Sequence, residues 1–285
     1  MTRVSSTPTF SGMKYRVVNT LGTGAGSTIL LISDKTAGGK RYALKVVRKQ
    51  DPDDEVYVQQ ALTEFEAAKK LNHPAIARIF DCRLKKSWFK VRGVELLMEY
   101  VEGKTLDEIE GPQLGQLVLI FCQVVSALTH MHRRGVYHGD LKPGNIMLTK
   151  AGQVKLIDFG TAWVRGQDKH RIQGTPQYIA PEQANEKVVD EKTDIYNLGA
   201  TMYRMFTGRF AQQGILKPGE DRKLTPPLKV NPRIPAALNE MIIASLSIDP
   251  SRRPAGMFEL RDQLSAIAQQ MGLAEVDLKG VDDED

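Results

Sequence analysis

The chain has 285 residues, of which 41% are hydrophobic and 26% charged, and its formal net charge at pH 7 is +5. These proportions are ordinary for a soluble globular protein and provide enough apolar material for a sizeable core. Because Cys82 and Cys122 are the only cysteines, a disulfide framework is excluded as the organising principle, and we expect reduced thiols in a cytoplasmic protein.

No segment of the chain predicts a membrane span. Met1–Gly12 is polar and lacks the apolar run of a secretory signal. The longest apolar stretch, Leu117–Leu128, is too short to cross a bilayer and predicts a buried helix. We treat residues 1–14 as an N-terminal segment and residues 273–285, which are rich in carboxylates, as an acidic tail.

A local basic cluster occurs in the first third of the chain. Its members are Arg83, Lys85, Lys86, Lys90 and Arg92. A solvated strand–turn–strand edge is the favoured interpretation, and a docking patch is the alternative. Since no aromatic and basic recognition motif accompanies the cluster, we expect no nucleic-acid partner.

The first hundred residues predict a β-rich region. Short apolar runs punctuated by glycines are typical of strands, and they occur at Tyr15–Leu21, Ile29–Ser33, Tyr42–Val47, Ala75–Leu84 and Val94–Tyr100. Between the third and fourth runs, apolar residues at spacings of three and four predict a helix over Val56–Leu71. Asn72-His73-Pro74 should stop it, because proline disfavours helical geometry in the preceding residue.

Helical periodicity dominates after Gly103. Helices are predicted at Leu114–Met131, Asp190–Thr207, Ala236–Ser247 and Met257–Met271. Two short strands, Ile146–Thr149 and Val154–Ile157, should form a hairpin. The sequence therefore predicts an α+β fold with a β-rich N-terminal lobe at about 15–100 and a helical C-terminal lobe at about 104–272.

A glycine-rich segment, Gly22-Thr23-Gly24-Ala25-Gly26-Ser27, lies between the first two predicted strands. Glycine lets the backbone approach phosphates and direct N–H groups at them. A dinucleotide fingerprint would need a helix directly afterwards, and a P-loop would need Gly-Lys-Ser or Gly-Lys-Thr; neither is present. By itself such a segment is more often only a turn.

Lys45 ends an apolar strand, and a lone lysine there is usually an edge charge. A carboxylate on the first long helix could hold it toward phosphate oxygens. Glu64 and Glu66 are both candidates, and we favour Glu64, ten residues before Pro74.

The most specific segments are His138-Gly139-Asp140-Leu141-Lys142-Pro143-Gly144-Asn145 and Lys155-Leu156-Ile157-Asp158-Phe159-Gly160. Phosphoryl transfer needs a carboxylate near the acceptor hydroxyl, a cation near the transferred group and oxygen ligands for Mg²⁺. Asp140, Lys142 and the pair of Asn145 and Asp158 match these needs in that order. The spacing is too particular for polar residues that only stabilise a fold.

With these motifs the chain resembles the eukaryotic-type protein kinase family, in particular its bacterial serine/threonine members, from about Tyr15 to Met271. The resemblance implies a bilobal fold with the active site between the lobes. It implies ATP and Mg²⁺, or Mn²⁺, as cofactors, protein substrates and a role in signalling. It says nothing about the oligomeric state.

The resemblance also assigns residues to roles. Asp140 and Lys142 would be catalytic, Asn145 and Asp158 would bind metal, and Thr175 would belong to the substrate platform and bridge Asp140 and Lys142 through its hydroxyl. The implied ATP-binding residues are Gly22, Gly24, Ile29, Ala43, Lys45, Glu64, Met98, Glu99, Val101 and Met147.

Three further residues match structural positions of the family. Glu182 would form an ion pair with Arg253, and Asp194 would cap the backbone of the segment around His138. These pieces build a peptide platform, which argues against a small-molecule phosphotransferase. A pseudokinase scaffold is the remaining alternative, although Lys45 and the catalytic and metal-binding residues are all present.

The chain departs from the family pattern at three places. Ser27 stands where the third glycine of the loop usually falls, and the helix common near Phe210–Leu224 should be reduced. Gly139 replaces the arginine that commonly binds an activation-loop phosphate. Between Gly160 and Gly174 the only hydroxyl is that of Thr161, although Arg165, Asp168, Lys169 and Arg171 lie there. We therefore predict activity without activation-loop phosphorylation.

Overall fold

The computed structural model describes residues 9–24, 26–88, 90–160, 162–164, 173–186, 189–216 and 223–273. The chain forms two compact units. The first runs to Asn72 and resumes over Ala77–Glu102, and the second contains His73–Ile76 and everything described from Gly103 onward. The first unit is β-rich and the second is mainly helical, so the predicted fold class is confirmed.

The first unit is built on a five-stranded antiparallel sheet with the order β1-β2-β3-β5-β4. Its strands are β1 Tyr15–Gly24, β2 Ser27–Asp34, β3 Arg41–Arg48, β4 Ile79–Ser87 and β5 Lys90–Glu99. Alternation of side chains gives the sheet two apolar faces. One face, which includes Val47 and Leu96, packs on helix α1, Glu55–Ala68. The other face packs against Phe10 and Met13.

Helix α1 ends three residues earlier than predicted. The N–H groups of Lys70 and Leu71 donate to the carbonyl oxygens of Ala67 and Ala68, three residues back. Such bonds tighten the last turn and satisfy carbonyl groups that a helix end leaves unpaired. The helix therefore closes before it reaches Pro74.

The second unit is organised around α2, Leu114–Arg133. The other helices in its described ranges are α3 Pro181–Asn185, α4 Glu191–Thr207, α5 Pro227–Val230, α6 Ala236–Ser245 and α7 Met257–Gln270. In the part of the chain that the structure describes, α2 alone is long and apolar enough to cross a membrane, but 67% of its apolar window is buried inside the protein. It is a core helix, as predicted.

Short strands position the loops of the second unit. They are β6 Gly103–Thr105, β7 Val136–Tyr137, β8 Ile146–Thr149, β9 Val154–Leu156 and β10 Trp163–Val164. They form a β6-β8-β9 sheet and a β10-β7 pair. Residues 138–145, which we call the catalytic loop, therefore leave β7 and return into β8.

One predicted strand begins later in the structure. The predicted strand Ala75–Leu84 begins only at Ile79, because the carbonyl oxygen of Ala75 accepts the N–H of Leu156 and this part of the chain belongs to the second unit. In the stretch where a reduced helix is expected, the described residues 210–216 and 223–224 form no helix. Residues 217–222 lie outside the described part of the chain, as do Ala25, Thr161, residues 165–172 with their four charged members, and the tail beyond residue 273.

Candidate active site

Asp140, Lys142 and Thr175 lie within hydrogen-bonding distance of one another. Lys142 Nζ donates to Asp140 Oδ2 and to Thr175 Oγ1, at 2.8 Å in each case. The backbone N–H of Thr175 donates to Asp140 Oδ1, also at 2.8 Å. The predicted hydroxyl bridge is therefore wrong at Asp140, because the Thr175 hydroxyl faces Lys142 and the backbone reaches the carboxylate. Both oxygens of Asp140 have a fixed donor, which orients the side chain.

Asn145 and Asp158 lie at the same edge of one β-hairpin. Strand β8 begins directly after Asn145, and β9 ends two residues before Asp158. The strands are antiparallel, so the start of one and the end of the other meet. The N–H of Ile157 donates to the carbonyl oxygen of Asn145 at 3.0 Å and joins the two segments.

The donor atoms of this pair suit Mg²⁺. Asn145 Nδ2 donates to the carbonyl oxygen of Asp140 at 2.8 Å, so its amide oxygen is the atom that can face a cation. Mg²⁺ in nucleotide sites is held by one or two carboxylates together with water and phosphate oxygens, and Mn²⁺ accepts similar ligands. Among the described residues, no group of three or more histidine, cysteine or acidic side chains could hold a metal alone.

Asp158 has a left-handed backbone, with φ of 63°. Its Oδ1 accepts the N–H of Gly160 at 3.2 Å, and local bonds of this kind let aspartate adopt that conformation. Non-glycine residues with such angles cluster at functional sites, where the surrounding structure holds them. The backbone conformation thus turns the chain sharply at the proposed metal ligand.

The backbone of the catalytic loop is held by Asp194, as predicted. Asp194 Oδ2 accepts the N–H of His138 and Oδ1 accepts the N–H of Gly139, both at 2.8 Å. Gly139 has a φ of 73°, which glycine adopts without steric cost. The local geometry therefore gives a reason for glycine at the position where the family commonly has arginine.

Sequence reasoning missed His132, which lies between two carboxylates of α4. Its Nε2 is 2.7 Å from Asp194 Oδ2 and its Nδ1 is 3.3 Å from Glu191 Oε1. Burial alone would lower the pKa of His132, but the hydrogen bond with Asp194 and the negative charges of Asp194 and Glu191 outweigh it and raise the pKa to about 9. Burial also disfavours the charged form of Asp194, yet His132 holds the pKa of that carboxyl below its usual range. At neutral pH the pair is a buried cation and anion.

Gln183 was also missed, and it connects the catalytic loop to the segment before Thr175. Its Nε2 donates to the carbonyl oxygen of Gly139 at 2.5 Å and to that of Gln173 at 2.8 Å. Gln183 is fully buried, and the side chain of Asn197 contacts its Oε1 at 3.5 Å while donating to the carbonyl oxygen of Tyr178 at 2.8 Å. A neutral amide thus links backbone groups that lie far apart in the sequence.

The predicted ion pair of Glu182 and Arg253 is present. Arg253 Nη1 and Nη2 donate to Glu182 Oε1 and Oε2 at 2.7 and 2.8 Å, and both residues are buried. Such a bidentate pair fixes direction as well as distance. It anchors helix α3, which follows the segment that contains Thr175.

In the first unit, Lys45 pairs with Glu64. The Lys45 Nζ lies 2.6 Å from Glu64 Oε2, and the Glu64 side chain is fully buried. Glu66, the alternative partner, is exposed and lies 2.6 Å from Lys69 instead. The structure therefore agrees with the choice of Glu64 from its distance to Pro74.

The glycines of the β1–β2 hairpin differ in what surrounds them. Among the described residues, a Cβ at Gly22 would meet no atom within 4 Å, and one at Gly24 would meet only Ser27 Oγ at 4.0 Å. At Gly26, by contrast, φ is 73° and a Cβ would lie 2.2 Å from the ring of Tyr57. Of these three glycines, Gly26 is the one that the described packing requires.

The remaining predicted adenine-site residues lie in both units. In the first unit, Ala43 pairs with Met98 across β3 and β5, and Ile29 lies beside Lys45 across β2 and β3. Glu99 ends β5, and its N–H donates to the carbonyl oxygen of Arg78 at 2.8 Å. Val101 follows two residues later. In the second unit, Met147 lies in β8 opposite Thr105.

Comparison with known proteins places these features in a family. The protein kinase domain family matches residues 15–264. Serine/threonine-protein kinase Pkn1 of Myxococcus xanthus is 34% identical over 279 residues, which cover 92% of this chain and 38% of the relative. Serine/threonine-protein kinase PknA of Mycobacterium tuberculosis is 31% identical over 270 residues, or 91% of this chain and 62% of the relative.

A probable serine/threonine-protein kinase of Clostridium acetobutylicum is 30% identical over 268 residues, which cover 89% of this chain and 40% of the relative. The chain thus spans 38% to 62% of the length of these three proteins. With the family match over most of its length and the geometry described above, the chain belongs to the protein kinase family.

Proposed function

We propose that this chain transfers the γ-phosphoryl group of ATP to serine and threonine hydroxyls of protein substrates, in a signalling role. The observation that carries the proposal is the triangle of Asp140, Lys142 and Thr175, with each contact at 2.8 Å. It combines an oriented carboxylate with a cation in one place, as phosphoryl transfer requires. The names of the similar bacterial proteins support the serine/threonine class.

The side chains of the catalytic loop have distinct tasks in this proposal. Asp140 orients the acceptor hydroxyl and accepts its proton, for which its fixed side chain is suited. Lys142 stabilises negative charge near the transferred group. Bonds of the loop backbone to Asp194 and Asn145 keep Asp140 in one position, and positioning of this kind supplies a large part of phosphoryl-transfer catalysis.

Other residues would hold the cofactors. Asn145 and Asp158 would bind Mg²⁺, while Lys45, kept in place by Glu64, would contact phosphate oxygens. The N–H groups at Gly22 and Gly24 would approach the phosphates, since no Cβ obstructs them. Backbone groups of Glu99 and Val101 would hold adenine. When bound, ATP supplies the phosphoryl group, and Mg²⁺ offsets the negative charge of the phosphates.

The test is phosphate transfer from labelled ATP to a generic protein substrate, followed by identification of the labelled amino acids. We expect phosphoserine and phosphothreonine, Mg²⁺ dependence, and loss of both transfer and Mg²⁺-dependent nucleotide binding in Asp158→Ala. Nucleotide binding without any transfer would support a pseudokinase scaffold instead. An Asp158→Ala variant with unchanged Mg²⁺ dependence would reject Asp158 as the metal ligand.

We further propose that activity does not require phosphorylation of the activation loop. A phosphate in that loop normally acts by pairing with arginine, and Gly139 supplies no guanidinium. The buried side-chain amide of Gln183 donates to the carbonyl oxygens of both Gly139 and Gln173, so it connects these two residues without any charged group. Uncharged bonds of this kind would hold Gln173, two residues before Thr175, in place without a phosphate.

This second proposal has its own experiment. Protein treated with a broad phosphatase should phosphorylate a peptide at an undiminished initial rate under saturating Mg·ATP. Gln183→Ala should lower that rate, whereas Gln270→Ala, an exposed control, should leave it unchanged. A lag that preincubation with ATP removes, with new phosphate on Thr161 or Thr175, would contradict the proposal.

A further inference from the structure

The tip of the β4–β5 hairpin carries an exposed tryptophan. Trp88 follows Ser87, which pairs with Lys90 at the end of the hairpin, and Trp88 is 93% exposed. Its φ is 55°. Two-residue hairpin turns need a positive φ at their first position and strongly favour glycine, asparagine or aspartate there. The chain thus places a large apolar ring in water at a position where its backbone is strained.

The basic cluster has two parts. Arg83 and Lys85, at the root of the hairpin near the body of the sheet, have partners that offset their charge, whereas the cations nearer the tip have none among the described residues. At the root, Arg83 Nε donates to Glu95 Oε2 at 2.9 Å, and Lys85 Nζ lies 3.2 Å from Glu95 Oε1. The guanidinium of Arg83 also lies over the ring of Phe10. Arg83 and Lys85 therefore already have partners inside the first unit, namely the carboxylate of Glu95 and, for Arg83, the ring of Phe10.

The tip cations are Lys86, Lys90 and Arg92. All three are exposed, and none forms an ion pair with any residue that the structure describes. Lys90 and Arg92 are two residues apart and share one face of the hairpin, whereas Lys86 pairs with Val91 and lies on the other face. Positive charge thus surrounds the base of the exposed tryptophan on both faces.

We propose that this hairpin tip binds the surface of a bilayer that contains anionic lipids. Trp88 would enter the headgroup region, and the tip cations would contact lipid phosphates. Tryptophan favours the interface between membrane and water because its ring is apolar and its N–H can remain hydrated. Lysine and arginine next to an anionic leaflet are attracted to its surface charge. The order along the hairpin, ring at the apex and cations behind it, matches the order of layers in the bilayer.

Other occupants fit the tip less well. A second copy of the chain joined through the same tip would bring like charges together. Single-stranded nucleic acid is usually bound in a groove where several bases stack on aromatic rings, whereas this tip is a projection. The proposal does not depend on phosphoryl transfer, since neither Trp88 nor a tip cation belongs to the candidate active site.

The experiment is co-sedimentation of the purified full chain with vesicles of phosphatidylcholine alone or with about 30% phosphatidylglycerol, a fraction chosen to give a clearly anionic surface. At low salt we expect binding only to the anionic vesicles, and weaker binding at high salt because ions screen exposed charges. Each single change of Lys86, Lys90 or Arg92 to glutamine should weaken binding about fivefold, and the triple variant about a hundredfold. Lys229→Gln, an exposed control in the second unit, should have little effect.

A variant of Trp88 distinguishes loss of membrane binding from loss of the folded structure. Trp88→Gly should abolish the gain from ring insertion and raise the unfolding temperature, because glycine accepts the positive φ without strain. Failure of the wild type to bind anionic vesicles at low salt would overturn the proposal, as would undiminished binding by the triple variant. Preferential binding of single-stranded RNA, or self-association, that is lost in Trp88→Gly would equally assign the tip to another partner.

Discussion

The catalytic loop of the second unit and Lys45 of the first unit are positioned in different ways. Several buried contacts hold the loop: Asp194 binds two of its N–H groups, Asn145 binds the Asp140 carbonyl oxygen, and Gln183 binds that of Gly139. Lys45 forms an ion pair with the buried carboxylate of Glu64. The loop is therefore held through its backbone, and the lysine through its side chain.

This difference predicts that the loop and Lys45 respond differently to amino-acid substitution. A backbone held by several buried groups keeps its geometry when one side chain of the loop is changed, so substitution of the reacting group itself should affect turnover alone. A side chain held through its own charge can move when a carboxylate that pairs with it is lost. The comparison can be tested by substitution on each side.

The largest effect is expected for Asp140→Asn. Removal of a positioned proton acceptor should lower turnover by about 10²- to 10⁴-fold, while nucleotide binding stays within a few-fold because other residues make those contacts. Steady-state kinetics and nucleotide titration measure the two quantities, with the exposed Asp262→Asn as a control. Retention of more than about a tenth of the turnover would show that Asp140 has another role.

The buried charges that support the loop predict a pH effect on stability. Folding raises the pKa of His132 from 6.5 to about 9. The stabilisation is therefore complete below about pH 6.5 and is lost as the pH rises to about 9, with a size on the order of 3 kcal/mol. Denaturant unfolding across this range measures it.

The matched variants for this prediction are His132→Gln and Glu191→Gln. His132→Gln should remove the alkaline loss together with the extra stability near neutral pH. Glu191→Gln should have a smaller effect, because Glu191 is partly exposed and its contact with His132 is longer. A wild-type unfolding free energy that stays constant between pH 6.5 and 9 would show that His132 is not charged in the folded protein.

A smaller effect is expected on the lysine side. Lys45→Met should lower kcat/KM by up to about 100-fold through misplaced phosphates, with the fold retained. Glu64→Gln should act in the same direction but more weakly, because the cation remains. Glu66→Gln is the control, since Glu66 is exposed and pairs with Lys69 at the surface. A damaging Glu66→Gln and a silent Glu64→Gln would reverse the assignment of the partner.

Much of the fold could be predicted because its signals are local. Apolar periodicity located the main helices of the second unit to within a few residues, and glycine and proline marked most strand and helix ends. The exceptions involve contacts distant in sequence. The local pattern predicts that Ala75 belongs to a strand, yet its carbonyl oxygen accepts a hydrogen bond from the N–H of Leu156 in the second unit. No local pattern reports such a partner.

The candidate site divides in the same way. Sequence alone determined the identity of Asp140, Lys142, Asn145 and Asp158, because their chemistry and spacing within short segments are specific. Tertiary structure decided that Thr175 reaches Asp140 through its backbone. It also decided the roles of His132 and Gln183, whose side chains are ordinary in sequence. A histidine becomes a buried cation, and an amide becomes a link between two loops, only when folding removes water and brings distant carboxylates and carbonyl groups to them.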